Sequence, residues 1–337
     1  MKFAALGRTH WLLDSIRACV ESGHTLALIA TARESPEYCA TEKDFENLAR
    51  QLQCPFISMS RQSYSDLKTL VRDSGADLAI SVNWPVLLGK DILDAFPRGV
   101  LNAHAGDLPR FRGNACPNWA ILSGQKKVVV TIHAMVPELD AGPILLQRPY
   151  RLTDKTTITE IYEFMSRVIP AMFAEGLTRL ARGRLPGKKQ TAHPKRALRC
   201  YPRLPVDAEI DWRRSARDID RLVRASTDPF GGAYTYLEGR KLIIWKAHPE
   251  PDWSPSLGVP GHLVERRPDT GSVGILTGEG VLVLETVQPE EGKRSPAADV
   301  LRSMRQRLGM NYAQEISRLR AEIDRLKGTR VKGGQES

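Results

Sequence analysis

The chain has 337 residues, of which 42% are hydrophobic and 26% charged, and its 49 Lys and Arg outnumber its 39 Asp and Glu. This composition excludes a disordered or fibrous chain, and the length is enough for two domains with packed cores. No apolar run approaches the roughly 20 residues of a membrane helix, the N-terminus lacks the features of a signal peptide, and the five scattered cysteines form no C-x-x-C pair, so a cytoplasmic protein is predicted.

Up to about residue 150, short β-branched apolar runs alternate with longer segments of helical period, which is typical of strand–helix–strand units. Strands are predicted at 2–6, 25–30, 55–59, 78–82, 100–103 and 128–136. Helices are predicted at 11–21, 42–52, 64–74, 86–95 and 117–123. A longer helix is predicted from Thr157, whose spacing to Glu160 suits a capping box, to about Arg182. The predicted fold class is therefore α/β, with a Rossmann-like, mostly parallel sheet.

The region that follows is strongly basic. Nine Lys and Arg and no acidic residue lie between Arg179 and Arg203. Such a segment could attract the phosphates of a nucleotide or an RNA, or it could be a solvated linker. The sequence leaves both interpretations open.

Beyond this linker the composition changes, because frequent prolines separate short apolar runs. A helix is predicted at 216–225, and strands are predicted at 233–237, 241–245, 273–276 and 281–285, which indicates a small barrel or sandwich. The tail carries apolar residues at alternating spacings of four and three: Tyr312, Ile316, Leu319, Ile323 and Leu326. This seam either packs a helix on its own domain or pairs it in a homodimer.

The residues with the clearest chemistry follow two predicted strands. Asn102 and His104 lie two apart at the end of one strand and therefore share a face, and Asp140 follows another strand. An amide that donates to an oxyanion, with an imidazole that handles a proton, can serve an acyl transfer, and Asp140 could orient His104 or shift its pKa. From spacing alone, a turn Asn, a core His and a capping Asp remain alternatives.

Common cofactor motifs are missing from the sequence. No G-x-G-x-x-G follows the first predicted strand, there is no P-loop, and no group of residues has the spacing of a metal site. Neither a nicotinamide cofactor nor a metal is expected.

Three segments give the sequence a family resemblance: Asn102-x-His104, Leu108-Pro109-Arg110-Phe111-Arg112-Gly113, and Val130-Thr131-Ile132-x-x-Met135-x-x-x-Leu139-Asp140-x-Gly142. They resemble the motifs of the 10-formyltetrahydrofolate-dependent formyltransferases, which include methionyl-tRNA formyltransferase and the nucleotide-sugar N-formyltransferases. Ile210-Asp211-Trp212 and residues 233–247 are similar to the OB-like C-terminal domain of that family. The resemblance implies a formyltransferase catalytic domain at 1–185, a basic linker at 186–204, an OB-like domain at 205–308 and a helical tail at 309–337.

The resemblance also implies a reaction. 10-Formyltetrahydrofolate would be the co-substrate, and an amine would receive the formyl group. Asn102 would donate a hydrogen bond to the oxyanion, His104 would act as general base or polarise the carbonyl, and Asp140 would hold the imidazole and assist proton transfer.

Binding residues are expected at the same motifs. Those expected to contact the folate are Asn83, Trp84, Leu87, Pro137, Glu138, Leu139 and Gly142. Those expected to contact the acceptor are Arg8, Thr9, His10, Arg112, Asn114 and Trp119. A core aromatic is the alternative for Trp84, and a helix cap is the alternative for Thr9.

Two departures from the methionyl-tRNA enzymes bear on the acceptor. Where those enzymes usually have a basic loop, residues 31–44 hold two basic and four acidic residues, and the run Trp119-Ala120-Ile121 is more similar to the sugar enzymes. A nucleotide-linked amino sugar is therefore favoured. Charged initiator tRNA, supported by the basic linker, and a non-catalytic RNA-binding or scaffold role are the alternatives. The base, the sugar, the position of the amine and the oligomeric state stay open, and no membrane partner is expected.

Overall fold

The computed structural model of the chain describes residues 1–34, 38–183, 186–190, 197–253, 256–310 and 312–332. The chain divides into two units, Met1–Arg203 and Leu204–Ser337. The strands of the first unit are β1 (Lys2–Gly7), β2 (Thr25–Thr31), β3 (Phe56–Ser58), β4 (Leu78–Val82), β5 (Val100–His104), β6 (Arg112–Gly113), β7 (Lys127–Ala134), β8 (Ile144–Arg151) and β9 (Arg199–Cys200). Its helices are α1 (His10–Glu21), α2 (Glu42–Gln51), α3 (Tyr64–Ser74), α4 (Lys90–Leu93), α5 (Cys116–Leu122) and α6 (Ile158–Ala181).

The first unit is built on a seven-stranded sheet with the order β3-β2-β1-β4-β5-β7-β8. The first five strands in this order, from β3 to β5, are parallel. β7 pairs antiparallel with β5, and β8 pairs antiparallel with β7. The predicted α/β fold with a mostly parallel sheet is confirmed. Since parallel strands end at one edge, the loops after β1, β2, β4 and β5 gather on that side of the sheet, where such folds bind ligands.

Local sequence accounts for the helix starts. Thr41, Ser63 and Thr157 each form a capping box with the acidic residue three positions later, which satisfies backbone N–H groups that have no partner within the helix. The capping box predicted for Thr157 and Glu160 is confirmed. A buried apolar cluster that includes Leu28, Ile57, Leu67, Ile92 and Val100 packs α3 and α4 on the sheet.

For this unit, one sequence prediction was wrong and one strand of the main sheet was not predicted. The helix predicted at 86–95 covers only Lys90–Leu93, because Gly89 is its N-cap, and Val86 and Leu87 lie exposed in the preceding loop rather than on a buried helical face. Strand β8 was not predicted, because Pro149 interrupts its apolar pattern, although it pairs along its length with β7.

The second unit contains an antiparallel sheet of β10 (Ala233–Leu237), β11 (Arg240–Glu250), β12 (Leu263–Arg267), β13 (Ser272–Leu276), β14 (Val281–Pro289) and β15 (Ser295–Pro296). Its helices are a 3-10 turn at Pro205–Ala208, α7 (Ala216–Ser226), α8 (Ala297–Val300) and α9 (Tyr312–Lys332). Ile219, Leu222 and Val223 give α7 a buried face. The predicted β-rich C-terminal unit with a final helix is confirmed, whereas β12 was not predicted.

Several residues of the basic stretch are engaged locally. Arg179 pairs with Glu175 on α6, and the Arg199 guanidinium lies 5.7 Å from the centre of the Tyr201 ring. Arg184, Lys195 and Arg196, together with residues 35–37 of the 31–44 segment and the side chain of Leu326, lie outside the described residues. Among the helices of the described ranges, none is long and apolar enough to cross a bilayer.

Candidate active site

Two antiparallel neighbours, β5 and β7, supply the base of the site. Asn102 on β5 is the direct partner of His133 on β7, so the two side chains share a face of the sheet. His104 lies two residues further along β5, on that same face. The turn after β7 brings in Asp140, which has a left-handed backbone conformation (φ 49°).

Asp140 connects these groups. Its Oδ2 lies 3.6 Å from His104 Nδ1, its Oδ1 lies 3.5 Å from His133 Nε2, and the Gly113 N–H donates to Oδ2 at 2.8 Å. Although burial opposes ionisation, His104 and the Gly113 N–H lower the pKa of Asp140 to about 2. The carboxylate is therefore charged at neutral pH.

His133 determines how the Asn102 amide is oriented. His133 Nδ1 donates to the Ala134 carbonyl at 3.0 Å, so in the neutral ring Nε2 carries a lone pair. That lone pair accepts a hydrogen bond from Asn102 Nδ2 at 3.2 Å. For the neutral ring protonated on Nδ1, the amide nitrogen of Asn102 faces His133, which leaves its second N–H available for another acceptor.

His104 is 8% exposed, and both of its ring nitrogens face oxygen atoms. Nε2 donates to the Phe111 carbonyl at 2.6 Å, and Nδ1 faces Asp140. Burial lowers the pKa of His104 below its ordinary 6.5, while the Asp140 charge and the Phe111 carbonyl oppose this change. The ring is thus neutral in its buried position. If it takes up a second proton, each of its two N–H groups faces an oxygen that can accept a hydrogen bond.

Backbone packing around His104 is unusually close. A Cβ at Gly106 would lie 2.1 Å from the Phe111 carbonyl oxygen and 2.4 Å from His104 Nε2, so no larger residue fits there. Phe111 itself has φ 55°, a left-handed conformation that is costly for an aromatic residue. The strained turn aims the Phe111 carbonyl at the imidazole.

A thiol completes this side of the site. Cys116 Sγ donates to the Phe111 carbonyl at 3.0 Å and lies 3.7 Å from His104 Nε2. The adjacent thiol of Cys200 and burial both raise the pKa of Cys116, so it is a neutral donor rather than a nucleophilic thiolate.

The residues expected to contact folate lie on two loops. Asn83, Trp84 and Leu87 follow β4, while Pro137, Glu138, Leu139 and Gly142 follow β7. Leu87 is 62% exposed, whereas Trp84 is partly buried against the same apolar cluster that Met135 contacts. Trp84 Nε1 is buried and has no hydrogen-bond partner within the described residues. Gly142 is required sterically, since a Cβ there would lie 1.8 Å from the Ala134 carbonyl oxygen.

The residues expected to contact the acceptor divide between the ends of β1 and β6. Arg8 donates to the Arg33 carbonyl, and His10 contacts Ser166 at 3.1 Å, while the buried Thr9 hydroxyl has no partner within the described residues. Near β6, Arg112 donates to Gln190, and Trp119 donates to the Tyr201 carbonyl. The Asn114 side chain is exposed.

Sequence reasoning missed several groups at this site. His133 lies within a recognised motif, but its proximity to Asn102 depends on an antiparallel register that the motif does not reveal. Gln190 was also missed, although its amide donates to the carbonyls of Asp140 and Gly142. Within the described ranges, no group of three or more His, Cys, Asp or Glu is arranged to hold a metal ion.

Comparison with known proteins gives two family matches. Residues 1–175 match the model described as formyl transferase, and residues 205–305 match the model of the formyl transferase C-terminal domain. A methionyl-tRNA formyltransferase from Citrifermentans bemidjiense is 29% identical over 306 residues, covering 89% of this chain and 93% of the relative.

Solved structures share the fold at low identity. The N-formyltransferase of Helicobacter canadensis, in complex with folinic acid and dTDP-3-aminofucose, has a TM-score of 0.63 at 13% identity, covering 88% of this chain and 100% of that one. HypX from Aquifex aeolicus, in complex with tetrahydrofolic acid, has a TM-score of 0.56 at 20% identity, covering 90% of this chain. This chain spans about half of HypX, 47% of its length.

Proposed function

We propose that this chain, which belongs to the formyl transferase family and transfers formyl groups, takes them from 10-formyltetrahydrofolate and delivers them to the amine of a nucleotide-linked amino sugar. The observation that carries the choice of acceptor is the balanced charge around the ends of β1 to β3. A tRNA acceptor would need unpaired Lys and Arg there to neutralise phosphates.

Acidic groups pair with Arg61, one of the basic side chains at that end of the sheet. A cavity of about 670 Å³ is lined by Arg33, Glu34, Thr41, Glu42, Lys43, Ser60 and Arg61. Arg61 pairs with Glu42 at 3.2 Å, and the Ser58 and Ser60 hydroxyls also donate to Glu42. The volume suits a small ligand, and the mixed charge suits hydrogen bonding to a nucleotide sugar better than tracking of a phosphate backbone.

The C-terminal unit is nearly neutral as well. Residues 204–337 contain 21 Lys and Arg against 20 Asp and Glu, whereas residues 1–203 contain 28 against 19. On α7, Arg221 pairs with Asp218 and Arg224 with Asp220. Such a unit gives little electrostatic attraction for RNA.

Charged initiator tRNA is the second candidate acceptor, and one observation favours it. The relative at 29% identity is named a methionyl-tRNA formyltransferase, and it matches this chain over nearly its full length. The exposed Lys188 and Lys189 of the basic stretch could contact phosphates. This candidate shares the donor and the chemistry but differs in the acceptor surface.

The loop after β4 has the properties that a folate ring requires. Val86 and Leu87 are exposed apolar side chains, and the buried Trp84 N–H lacks an acceptor within the described residues. A flat heterocycle needs apolar faces and a few fixed polar edges. 10-Formyltetrahydrofolate supplies the formyl group, and these residues would hold it beside β5 and β7.

The proposed catalytic set divides the chemistry between an amide and an imidazole. With one N–H held by His133, Asn102 directs the other at the oxygen that gains negative charge when an amine attacks a formyl carbon. The neutral His104 takes up at Nε2 the proton that the amine loses, after its own proton has moved from Nε2, beside the Phe111 carbonyl, to Nδ1, beside Asp140. Asp140 remains ionised and stabilises the resulting imidazolium.

An acceptor panel tests the proposal. Purified full-length protein is given 10-formyltetrahydrofolate with nucleotide-linked 3-amino and 4-amino sugars, and separately with charged initiator tRNA. We expect formylation of at least one amino sugar and little formylation of the tRNA. Efficient tRNA formylation with no reaction on any sugar would transfer the assignment to the second candidate.

Salt dependence provides an independent readout for whichever acceptor reacts. For a tRNA acceptor, log kcat/KM should fall steeply with log salt, since each neutralised phosphate of a single strand contributes a slope of about −0.7. For a nucleotide sugar with two phosphates, we expect a far shallower slope. No formyl transfer to either class would contradict the shared chemistry as well.

Replacement of His133 tests its role as a positioning residue for Asn102. We expect His133→Leu to lower kcat roughly tenfold with little change in KM, because the Asn102 amide loses its acceptor and can rotate. His133→Gln, whose side-chain oxygen can accept the same hydrogen bond, should recover most of the loss. Equal losses in both variants, with unchanged melting temperatures, would rule out this role.

A further inference from the structure

The described side chains of the final helix form no buried face against its own unit. Of the α9 side chains that the structure describes, none is buried, and Glu315 and Glu322 are the two that are partly covered. The start of the helix is held by the Tyr312 hydroxyl, which donates to Glu209 at 3.2 Å. Most helices in proteins are stabilised by tertiary packing of one face, so the exposed α9 leaves such a face for a partner to cover.

An apolar stripe runs along the exposed helix. Ile316, Leu319 and Ile323 are 50%, 47% and 49% exposed, and Tyr312 begins the stripe. Their spacing of four, three and four is that of a heptad repeat, with Ile316 and Ile323 at positions a and Leu319 at position d. Ile at a with Leu at d favours a parallel coiled coil of two helices. In the sequence, Leu326 continues the pattern at d.

The charges beside the stripe favour one relative orientation of two paired helices. Glu315 and Glu322 occupy positions g, while Arg320 and, in the sequence, Lys327 occupy positions e. In a parallel pair each g residue meets the e residue five positions later in the other helix, which gives two acid–base pairs on each side. In an antiparallel pair, g would meet g and e would meet e, so like charges would face each other.

We propose that α9 forms a parallel two-stranded coiled coil with α9 of a second copy of this chain. The glutamates at g already pair within their own helix, Glu315 with Arg318 and Glu322 with Arg325, and an e residue of the second copy adds another partner to each. Because the seam spans little more than two heptads, the association is weak and depends on protein concentration.

Charge exchange tests both the partner and the orientation. The mass of the full-length protein is measured by analytical ultracentrifugation from about 1 to 100 μM, a range chosen for a weak complex. We expect dimers at the upper end, and at least a tenfold weaker dimer for Glu315→Lys with Glu322→Lys. Adding Arg320→Glu and Lys327→Glu to that variant should restore the dimer. Asp324→Lys, at outer position b, is the control and should dimerise as strongly as the wild type.

A crosslink gives a second readout. Identical d positions face each other in a parallel pair, so Leu319→Cys should form a 319–319 disulfide with oxidised glutathione, with both thiols oxidised and glutathione reduced. Ser317→Cys, at outer position b, should form no 317–317 disulfide. Peptide mapping of the variants and the wild type distinguishes the engineered disulfide from any disulfide of the native cysteines. A monomer at every concentration, a dimer indifferent to the charge exchange, or no 319–319 crosslink would overturn the proposal.

Discussion

Asn102→Ala is expected to yield a folded protein whose kcat/KM for formyl transfer is lower by about 100- to 1,000-fold. The variant removes the N–H that His133 leaves available, and loss of one oxyanion donor typically removes about 3 kcal/mol of transition-state stabilisation. Because that hydrogen bond strengthens only as charge develops, the loss should lie in kcat while KM for the folate changes little.

Steady-state kinetics at saturating donor, with circular dichroism and a melting curve, check this expectation. Asn47→Ala is the matched control, since it deletes the same amide from an exposed position of α2. Wild-type turnover in Asn102→Ala would remove the amide from the catalytic set. A large fall in melting temperature would instead indicate a structural role, because the variant leaves His133 Nε2 without its donor.

The parallel part of the fold was predictable from sequence, because each buried strand has its own apolar run and α2 and α3 each begin with a capping box. Leu78–Val82 is continuous and fully buried, and the helix that follows Ser63 begins with a capping box. Strand β8 gives no comparable signal, because most of its side chains are only partly buried and Pro149 lies within it. Its place depends on β7, a partner defined by tertiary structure.

The site was predictable at the level of side-chain chemistry but not of hydrogen-bond partners. The amide, imidazole and carboxylate stand out because they follow apolar strands and lie in recognisable motifs. The Phe111 carbonyl and the Gly113 N–H are backbone groups, which no residue type reveals. The His133 contact arises from the register of two strands about 30 residues apart.

The arrangement of His104 indicates why Asp140 matters more than its 3.6 Å contact with this ring alone suggests. The buried ring is surrounded by groups that suit the imidazolium, the Asp140 carboxylate on one side and the Phe111 carbonyl on the other, whereas burial favours the neutral ring. A base in this position is neutral before reaction and is stabilised once it takes up a proton. That balance depends on the charge of Asp140, which is present at any pH well above about 2.

Asp140→Asn is therefore expected to lower kcat by about a thousandfold. At 3.6 Å from the His104 ring, a full carboxylate charge stabilises an imidazolium by roughly 4 kcal/mol at an effective dielectric constant of about 20. Asparagine keeps the shape and can still accept from the Gly113 N–H, so the substitution removes mainly the charge. Asp107→Asn is the matched control, because it removes a carboxylate that pairs with Lys127 in the neighbouring loop.

An NMR titration of the His104 ring separates this electrostatic role from a structural one. In the wild type, burial places the His104 pKa below 6.5 while the Asp140 charge limits that decrease, so removing the charge should lower the pKa further. The acid limb that His104 contributes to kcat/KM should move to lower pH in the variant, even as the maximal rate falls. An unchanged His104 midpoint alongside a large loss of kcat would show that Asp140 acts through geometry alone.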